Sequence, residues 1–339
     1  MSKKEVRTVC AGLGFVGGAA HVPSFRKVPD SKLLGVVARK GRESERIAIQ
    51  LKEKYGINVY YDWDAVCVDP NVDAVCIAVP TPDHYELAKR AIEGGKHVFL
   101  EMPMAPELQK AEELGRLAEG KGVVLMPILN FRHAPGYVKA KELLEVGAIG
   151  KPIALTFREF IAAEDLARQW PLSSWAWDIK KSGGYPDFTL SVWSLDMFRW
   201  FFKTEIENVK WAACYMPVEG VDSFKGYQTV GIIRLKNGVV GNLIYGSSVA
   251  KGQDTSRFEV FGNNGKTIVV DWSDKITLYG KGDEKELWKL EPKGPEVWGH
   301  KQLIAHFVQA CLGKEKPEIT YKDAIAAQKW SAKIVTDLI

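Results

Sequence analysis

The sequence of 339 residues has little cysteine and no strong excess of charge of either sign. Its five cysteines are an odd number and include no Cys-x-x-Cys spacing, which argues against a disulfide framework and against zinc-binding cysteine motifs. The net charge is +4 and no Lys/Arg run exceeds two residues, so nothing predicts a nucleic acid partner. No apolar run approaches the roughly 18 residues of a membrane span, so no membrane association is predicted.

The remaining composition is typical of a globular protein, with 46% hydrophobic and 26% charged residues. The length predicts two domains, at roughly 100–200 residues per domain. Cys10 and Cys76 lie in apolar, strand-like runs and are predicted to be buried free thiols. The basic N-terminal segment lacks the apolar core of an export signal, so we expect a cytoplasmic protein.

Residues 1–128 alternate short apolar runs with helical segments. The runs are 6–11, 33–38, 74–79, 97–100 and 123–127. Continuous apolar strands alternating with helices predict an α/β domain whose parallel sheet is covered on both faces.

Residues 129–339 follow a different pattern, in which strand-like alternation dominates. Asn237-Gly238 and Asn264-Gly265 each separate two alternating runs, and Asn-Gly in this position is a strong hairpin signal. The second domain is therefore predicted to be α+β, with a mainly antiparallel sheet and a terminal helix from Tyr321.

A glycine-rich loop follows the first predicted strand, with the sequence Gly12-Leu13-Gly14-Phe15-Val16-Gly17. In G-x-G-x-x-G one glycine makes the tight turn, one lets a pyrophosphate approach the backbone and one lets helix pack on strand. The following helix then presents free N–H groups to the phosphates. The motif predicts a dinucleotide site, the alternative being a glycine-rich turn with no ligand.

The end of the second strand predicts which dinucleotide binds. NAD sites usually carry an acid there for the ribose hydroxyls, but this chain has Ala38-Arg39-Lys40. Because guanidinium pairs well with phosphate, the cluster favours NADP over NAD. The alternative is a solvated basic turn.

Four further segments resemble the Gfo/Idh/MocA (glucose–fructose oxidoreductase / inositol 2-dehydrogenase) family. They are residues 73–84, 91–103, 130–135 and 147–150. The resemblance implies a Rossmann domain followed by a domain with a large open sheet, often used to form a homodimer or homotetramer. It also implies NAD(P)-linked hydride transfer on a small molecule. The cofactor residues it implies beyond the two loops above are Pro80, Thr81, His84, Glu101 and Met102.

The chain departs from the family pattern at its polar catalytic positions. The family normally has lysine between Glu101 and Pro103 as the proton donor or acceptor, and here that residue is Met102. Alignment on Asp196 puts Thr189 and Trp193 where the family has an acid and a histidine.

These departures leave several functions open. Another group can move the proton, the first candidates being Tyr185, Asp187 and Lys181, followed by Lys180 and His133. Alternatively the substrate needs no enzymic acid, as with an iminium or a conjugated C=C, and the related biliverdin reductases also replace that lysine. Two further functions stay open: a redox-silent dinucleotide-binding sensor or assembly protein, and a non-redox enzyme that uses NAD(P) transiently.

The segment 170–202 is rich in aromatic residues, and its last ones, Phe198, Trp200, Phe201 and Phe202, are predicted to pack in the core of a helix. The others either pack in the core as well or line the substrate cleft, where they favour a planar or amine-bearing substrate. The predicted substrate pocket consists of Met102, Arg132, Trp175, Trp177, Tyr185, Thr189 and Trp193. For Arg132 a salt bridge within the second domain is an equal alternative. No metal is predicted, because His300 and His306 lie in a helical pattern without an acidic ligand cluster.

Overall fold

The computed structural model describes residues 4–280, 282, 285–291 and 298–337, apart from the Ser248 side chain. The described chain divides into two compact units, each presented separately below. Unit 1 contains 4–130 and 298–326, and unit 2 contains 131–291 and 327–337. The segment 298–326 lies in unit 1, whereas the division predicted at residue 128 assigns it to the C-terminal domain. The reason is packing, since Phe307 contacts Phe25 edge to face at 6.4 Å between ring centroids.

Unit 1 is built on a six-stranded sheet in the order β3-β2-β1-β4-β5-β6, with every neighbouring pair parallel. The strands are β1 Val6–Ala11, β2 Ser31–Val37, β3 Asn58–Tyr60, β4 Ala74–Ile77, β5 His97–Leu100 and β6 Leu125–Pro127. The parallel sheet predicted from the apolar runs is thus confirmed. Because chain order reverses at β1, the carboxyl ends of β1 and β4 flank the position where such sheets bind nucleotides.

Helices accompany this sheet in chain order. They are α1 Val22–Lys27, α2 Glu43–Tyr55, α3 Trp63–Val68, α4 His84–Glu93, α5 Leu108–Lys121 and α10 His300–Cys311. One local feature departs from the predicted continuous helix after the glycine loop: a π-helical turn, Gly17–His21, precedes α1. Turns of this kind occur often at functional sites because they redirect a side chain.

Unit 2 contains an eight-stranded sheet in the order β14-β13-β12-β11-β7-β10-β9-β8. The strands are β7 Pro152–Ala162, β8 Ile206–Pro217, β9 Lys225–Leu235, β10 Val240–Val249, β11 Thr255–Gly262, β12 Thr267–Asp271, β13 Lys275–Tyr279 and β14 Lys285–Lys289. All neighbours are antiparallel except β7 and β10, which are parallel. Both Asn-Gly hairpins are confirmed, with Gly238 and Gly265 at the positive φ values of +91° and +80° that such turns require.

Aromatic side chains form the core between this sheet and α9. The helices of unit 2 are α6 Pro135–Glu145, α7 Ala163–Gln169, α8 Ile179–Ser182, α9 Pro186–Phe202 and α12 Lys333–Asp337, and α11 Tyr321–Ser331 spans the division between the units. Phe198 and Phe201 of α9 both contact Phe258 of β11, at 5.6 and 5.1 Å between ring centroids. No helix in the described part of the chain is long and apolar enough to cross a membrane.

Candidate active site

The glycine loop between β1 and the π-helical turn has the geometry that its sequence predicts. Gly12 has φ +92°, and a Cβ there would lie 2.1 Å from the Ala78 carbonyl oxygen. A Cβ on Gly17 would lie 2.0 Å from the Gly12 carbonyl oxygen. Both positions therefore require glycine for the turn and for close packing of strand against helix.

Gly14 differs, because a Cβ at this position would meet nothing within 4 Å. The fold does not need glycine there, but a ligand approaching the backbone would. Phe15, the next residue, is exposed. This open cradle at the carboxyl end of a parallel strand fits the diphosphate of a dinucleotide.

The basic residues after β2 lie at the surface of unit 1. The Arg39 guanidinium, in a side chain that is 72% exposed, donates to Asp83 Oδ2 at 2.8 Å. The Lys40 ammonium lies 5.3 Å from the centre of the Tyr61 ring, and Ala38 is buried. No local sequence signal indicates that Asp83, in the turn before α4, pairs with Arg39 and would compete there with the phosphate of NADP.

His84 at the start of α4 joins two loops rather than pointing into solvent. Its Nδ1 lies 2.7 Å from the Pro103 carbonyl oxygen and its Nε2 lies 2.7 Å from the Val79 carbonyl oxygen. Burial lowers the pKa of His84, and the two carbonyls oppose that effect. A neutral ring can donate to only one of them. The residue therefore positions the loops around Pro80, Thr81 and Pro103.

Met102, which the resemblance predicts at the position of the family lysine, is buried. Its thioether carries no ionisable proton. Its backbone N–H donates to Glu101 Oε2 at 3.1 Å, and the other oxygen, Oε1, lies 2.8 Å from His21 Nε2. His21 was not predicted from the sequence, because its place four residues after Gly17 is a weak local signal.

In unit 2 the start of α9 contains a buried carboxyl group. The hydroxyls of Tyr215 and Thr229 donate to Asp187 Oδ2 at 2.9 and 2.5 Å. Among the described residues Oδ1 has no hydrogen-bond partner of normal geometry. Burial raises the pKa of Asp187, and the hydroxyls of Thr229 and Tyr215 offset part of that rise. The carboxyl can therefore hold a proton at a higher pH than an exposed aspartic acid.

Aromatic rings surround the same helix start. Tyr185, the residue before α9, lies 4.8 Å from Tyr215 and 6.0 Å from Trp177, measured between ring centroids. Trp177 also contacts Phe224 at 5.5 Å and donates its indole N–H to the Trp170 carbonyl. The structure thus brings together two predicted catalytic residues, Tyr185 and Asp187, and one predicted pocket residue, Trp177.

A row of polar side chains crosses four neighbouring strands of the sheet in unit 2. Strand register pairs Ser256 with Glu159, Glu159 with Tyr245, and Tyr245 with Thr229. The Tyr245 hydroxyl contacts the hydroxyl of Ser194 on α9. Burial raises the pKa of Glu159 to about 7, with a partly offsetting hydrogen bond from Ser256. Sequence analysis missed Glu159, because one acid in a long alternating run carries no local signal.

Glu159 is expected to make folding stability depend on pH. Its folded-state pKa of about 7 lies above the unfolded value of roughly 4.3. The folded state therefore binds this proton more tightly, and the stabilisation is lost as pH rises from roughly 4.3 through about 7. Urea unfolding at pH 5, 6, 7 and 8 should show that the free energy of unfolding of the wild type falls as pH rises, and that this fall is smaller in Glu159→Gln. At pH 8 the variant should be more stable than the wild type by on the order of 2 kcal/mol. Glu164→Gln, at an exposed position, is the matched control, and equal slopes for wild type and Glu159→Gln would contradict the prediction.

Other predicted residues have structural partners or lie apart from this cluster. Lys181 is exposed and pairs with Asp178 at 3.1 Å. Arg132 makes a bidentate ion pair with Asp196, at 2.7 and 2.5 Å. This contact agrees with the alternative prediction of a salt bridge within the second domain. The remaining predicted pocket residues in unit 2 are Thr189, which is buried, and Trp175 and Trp193, which are half-buried.

The Rossmann sheet and its glycine cradle define a dinucleotide-binding protein, and comparison with known sequences gives its family. Residues 6–129 match the model described as "Oxidoreductase family, NAD-binding Rossmann fold", and 137–268 match the GFO/IDH/MocA C-terminal domain. The myo-inositol 2-dehydrogenase of Thermotoga maritima is 31% identical over 75% of this chain and 72% of that protein. The chain belongs to the GFO/IDH/MocA family and is an NAD(P)-dependent oxidoreductase.

Solved structures share the fold over nearly the whole chain. Levoglucosan dehydrogenase in complex with NADH and levoglucosan superposes with a TM-score of 0.81 at 22% identity, covering 98% of this chain and 97% of that one. Biliverdin reductase from Synechocystis sp. PCC 6803, in complex with biliverdin and NADP⁺, gives 0.77 at 19% identity, covering 98% and 99%. At these identities the likeness establishes the fold alone.

Proposed function

We propose that this protein is an NADP(H)-dependent oxidoreductase for a small planar or amine-bearing substrate whose reducible bond is an imine, a conjugated C=C or a cyclic carbonyl. The observation that carries the proposal is the burial of Met102, the residue for which the resemblance implies a lysine. Because a thioether cannot donate a proton, simple alcohols and ketones should be poor substrates unless another group serves. The neighbouring structure that holds biliverdin, a conjugated molecule, is compatible with such a substrate.

The cofactor is held by the residues of unit 1 in this proposal. The cradle residues are Gly12, Leu13, Gly14, Phe15, Val16 and Gly17, followed by Ala38, Arg39 and Lys40, and by Pro80, Thr81, His84, Glu101 and Met102. The nicotinamide supplies hydride to the substrate. The backbone at Gly14 admits the diphosphate, and buried Met102 excludes water without offering a proton.

Asp187 is the proposed proton-transfer group when the product needs a proton. Its carboxyl is buried and oriented by two hydroxyl donors, and burial raises its pKa above that of an exposed aspartic acid. Tyr185 is the second candidate, because its ring contacts Tyr215, which binds that carboxyl. Lys181 is the weakest of the three, since it is exposed and paired with Asp178.

The substrate class can be tested by following NADPH oxidation with imines, enones, linear tetrapyrroles and keto-sugars. Turnover should be fastest with the charged or conjugated substrates. Fast turnover of a neutral keto-sugar would show that another residue supplies the proton, with Tyr185 the first to replace, and fast turnover of open-chain, unconjugated ketones alone would contradict the proposed class. Bound NADPH without turnover of any substrate would instead favour a redox-silent protein.

The preference for NADPH is a prediction about Arg39. Arg39→Ala should weaken NADPH binding roughly 10- to 150-fold, because one charge-assisted contact to phosphate is lost, and should change NADH binding little. Asp83→Asn should tighten NADPH binding, because it removes the carboxylate that pairs with the Arg39 guanidinium. Fluorescence titration measures both. Arg46→Ala, which removes an exposed arginine paired with Glu43, is the control, and equal wild-type affinity for NADPH and NADH would contradict the preference.

The outer face of the sheet in unit 2 is the proposed contact for a homodimer or homotetramer. Ile232 is 67% exposed in the middle of β9, and Val230, Val240 and Met216 on this and the neighbouring strands are exposed as well. An apolar group of this kind on a sheet face is typical of an interface. Light scattering at micromolar concentration should show an oligomer that Ile232→Lys dissociates and Val146→Lys, at an exposed position outside the sheet, does not. A monomeric wild type would contradict it.

A further inference from the structure

Three side chains that can bind a metal meet inside unit 1, although they come from distant segments of the chain. His21 ends the π-helical turn, Glu101 follows β5 and His300 begins α10. One ligand atom from each lies within 4.8 Å of the other two. The residues are 0%, 9% and 5% exposed, so this is an interior cluster rather than a surface group of acids.

The imidazoles are incompletely paired. His21 Nε2 lies 2.8 Å from Glu101 Oε1, but Nδ1 of His21 and Nδ1 of His300 have no hydrogen-bond partner in the described part of the chain. Buried polar nitrogens are normally satisfied, and unpaired ones call for an explanation such as an ion.

The surroundings hold the three groups in place. Glu101 Oε2 accepts the Met102 N–H, which fixes the carboxylate while leaving Oε1 toward His21. The Phe99 ring packs edge-on against His21 at 5.8 Å, and the Trp298 ring packs edge-on against His300 at 6.2 Å, between ring centroids. An apolar wall of this kind and a hydrogen-bonded carboxylate are typical features of the layer around metal ligands.

We propose that His21, Glu101 and His300 form a binding site for one divalent late-transition cation, of which Zn²⁺ is the representative. Two imidazoles and a carboxylate suit zinc and its neighbours and are a poor set for Mg²⁺ or Ca²⁺, which prefer oxygen ligands. At metal–ligand distances of about 2.0–2.2 Å and a tetrahedral angle, two donors lie roughly 3.4 Å apart, so separations that now reach up to 4.8 Å must shorten on binding. The ion would tie the segment after the glycine loop to β5 and α10 and so stabilise unit 1.

The full-length protein, stripped with a chelator, provides the test. Co²⁺ titration followed by visible absorption should saturate at one ion per chain, and Zn²⁺ should displace the Co²⁺ and raise Tm. A Cys214→Ser background removes the exposed thiol as a competing ligand. The absence of thiolate-to-metal charge transfer then separates this site from any cysteine site.

Variants decide whether these residues hold the ion. His21→Gln and His300→Gln should each weaken Co²⁺ binding by about 100-fold or more, and His306→Gln, farther along α10 and paired with Glu315, should leave it unchanged. If a variant fails to fold, anomalous diffraction from wild-type crystals soaked in Co²⁺ should place a peak between the three side chains. No saturable binding, a peak elsewhere, or unchanged affinity in both variants would overturn the proposal and leave a His21–Glu101 ion pair.

Discussion

Replacing Gly14 with valine is expected to abolish dinucleotide binding while leaving the protein folded. The Cβ of residue 14 would meet no atom within 4 Å, so the fold has room for the side chain. That room is where the diphosphate must approach the backbone, and a branched side chain would fill it. We expect the Kd for NADPH to rise by more than about 100-fold, the equivalent of roughly 3 kcal/mol. Fluorescence titration measures the affinity, and thermal melting checks the fold.

Two other glycines make the Gly14 experiment specific. Gly12→Ala should destabilise the protein itself, because its Cβ would lie 2.1 Å from a backbone oxygen and φ is +92°. Gly120→Val, in α5 with open space around its Cβ, should alter neither the fold nor the affinity. Retention of near wild-type affinity in folded Gly14→Val would show that the loop does not contact the cofactor.

Features that depend on neighbouring residues could be predicted from the sequence. The glycine loop and the two Asn-Gly hairpins are examples, because the requirement for positive φ or close approach lies within a few residues. The parallel sheet could be predicted because its strands are continuous apolar runs, whereas a strand with one solvated face alternates apolar and polar residues. The length and the change of pattern after residue 128 predicted two domains, the family resemblance implied the same arrangement, and the matches over residues 6–129 and 137–268 support it.

Features that depend on tertiary contacts could not be predicted. Nothing local shows that Asp83 reaches Arg39, or that Glu101 meets His21 from 80 residues away. The parallel pairing of β7 with β10 is likewise invisible in an alternating pattern, since both strand directions produce the same alternation. The sequence therefore identified residue types with chemical capability, and folding decided which of them are paired.

Asp187→Asn is expected to reduce kcat by about 10²- to 10⁴-fold on substrates whose product needs a proton from the enzyme. Asparagine has nearly the same shape and can still accept from Tyr215 and Thr229, so the pocket should be preserved while the exchangeable proton is lost. The Kd for NADPH should be unchanged, because the cofactor loops belong to unit 1. An iminium or conjugated substrate should show a much smaller loss.

The pH profile distinguishes proton transfer by Asp187 from a structural role. Because burial raises the pKa of Asp187, the carboxyl is protonated below that pKa, and reduction should slow as pH rises through it. Tyr215→Phe removes a hydroxyl that lowers this pKa, so the decline should move to higher pH, whereas Asp187→Asn should eliminate it. A structural role would lower the rate at every pH without moving the profile. Wild-type kcat and an unchanged profile in Asp187→Asn would assign the proton to another group, with Tyr185 the next residue to replace.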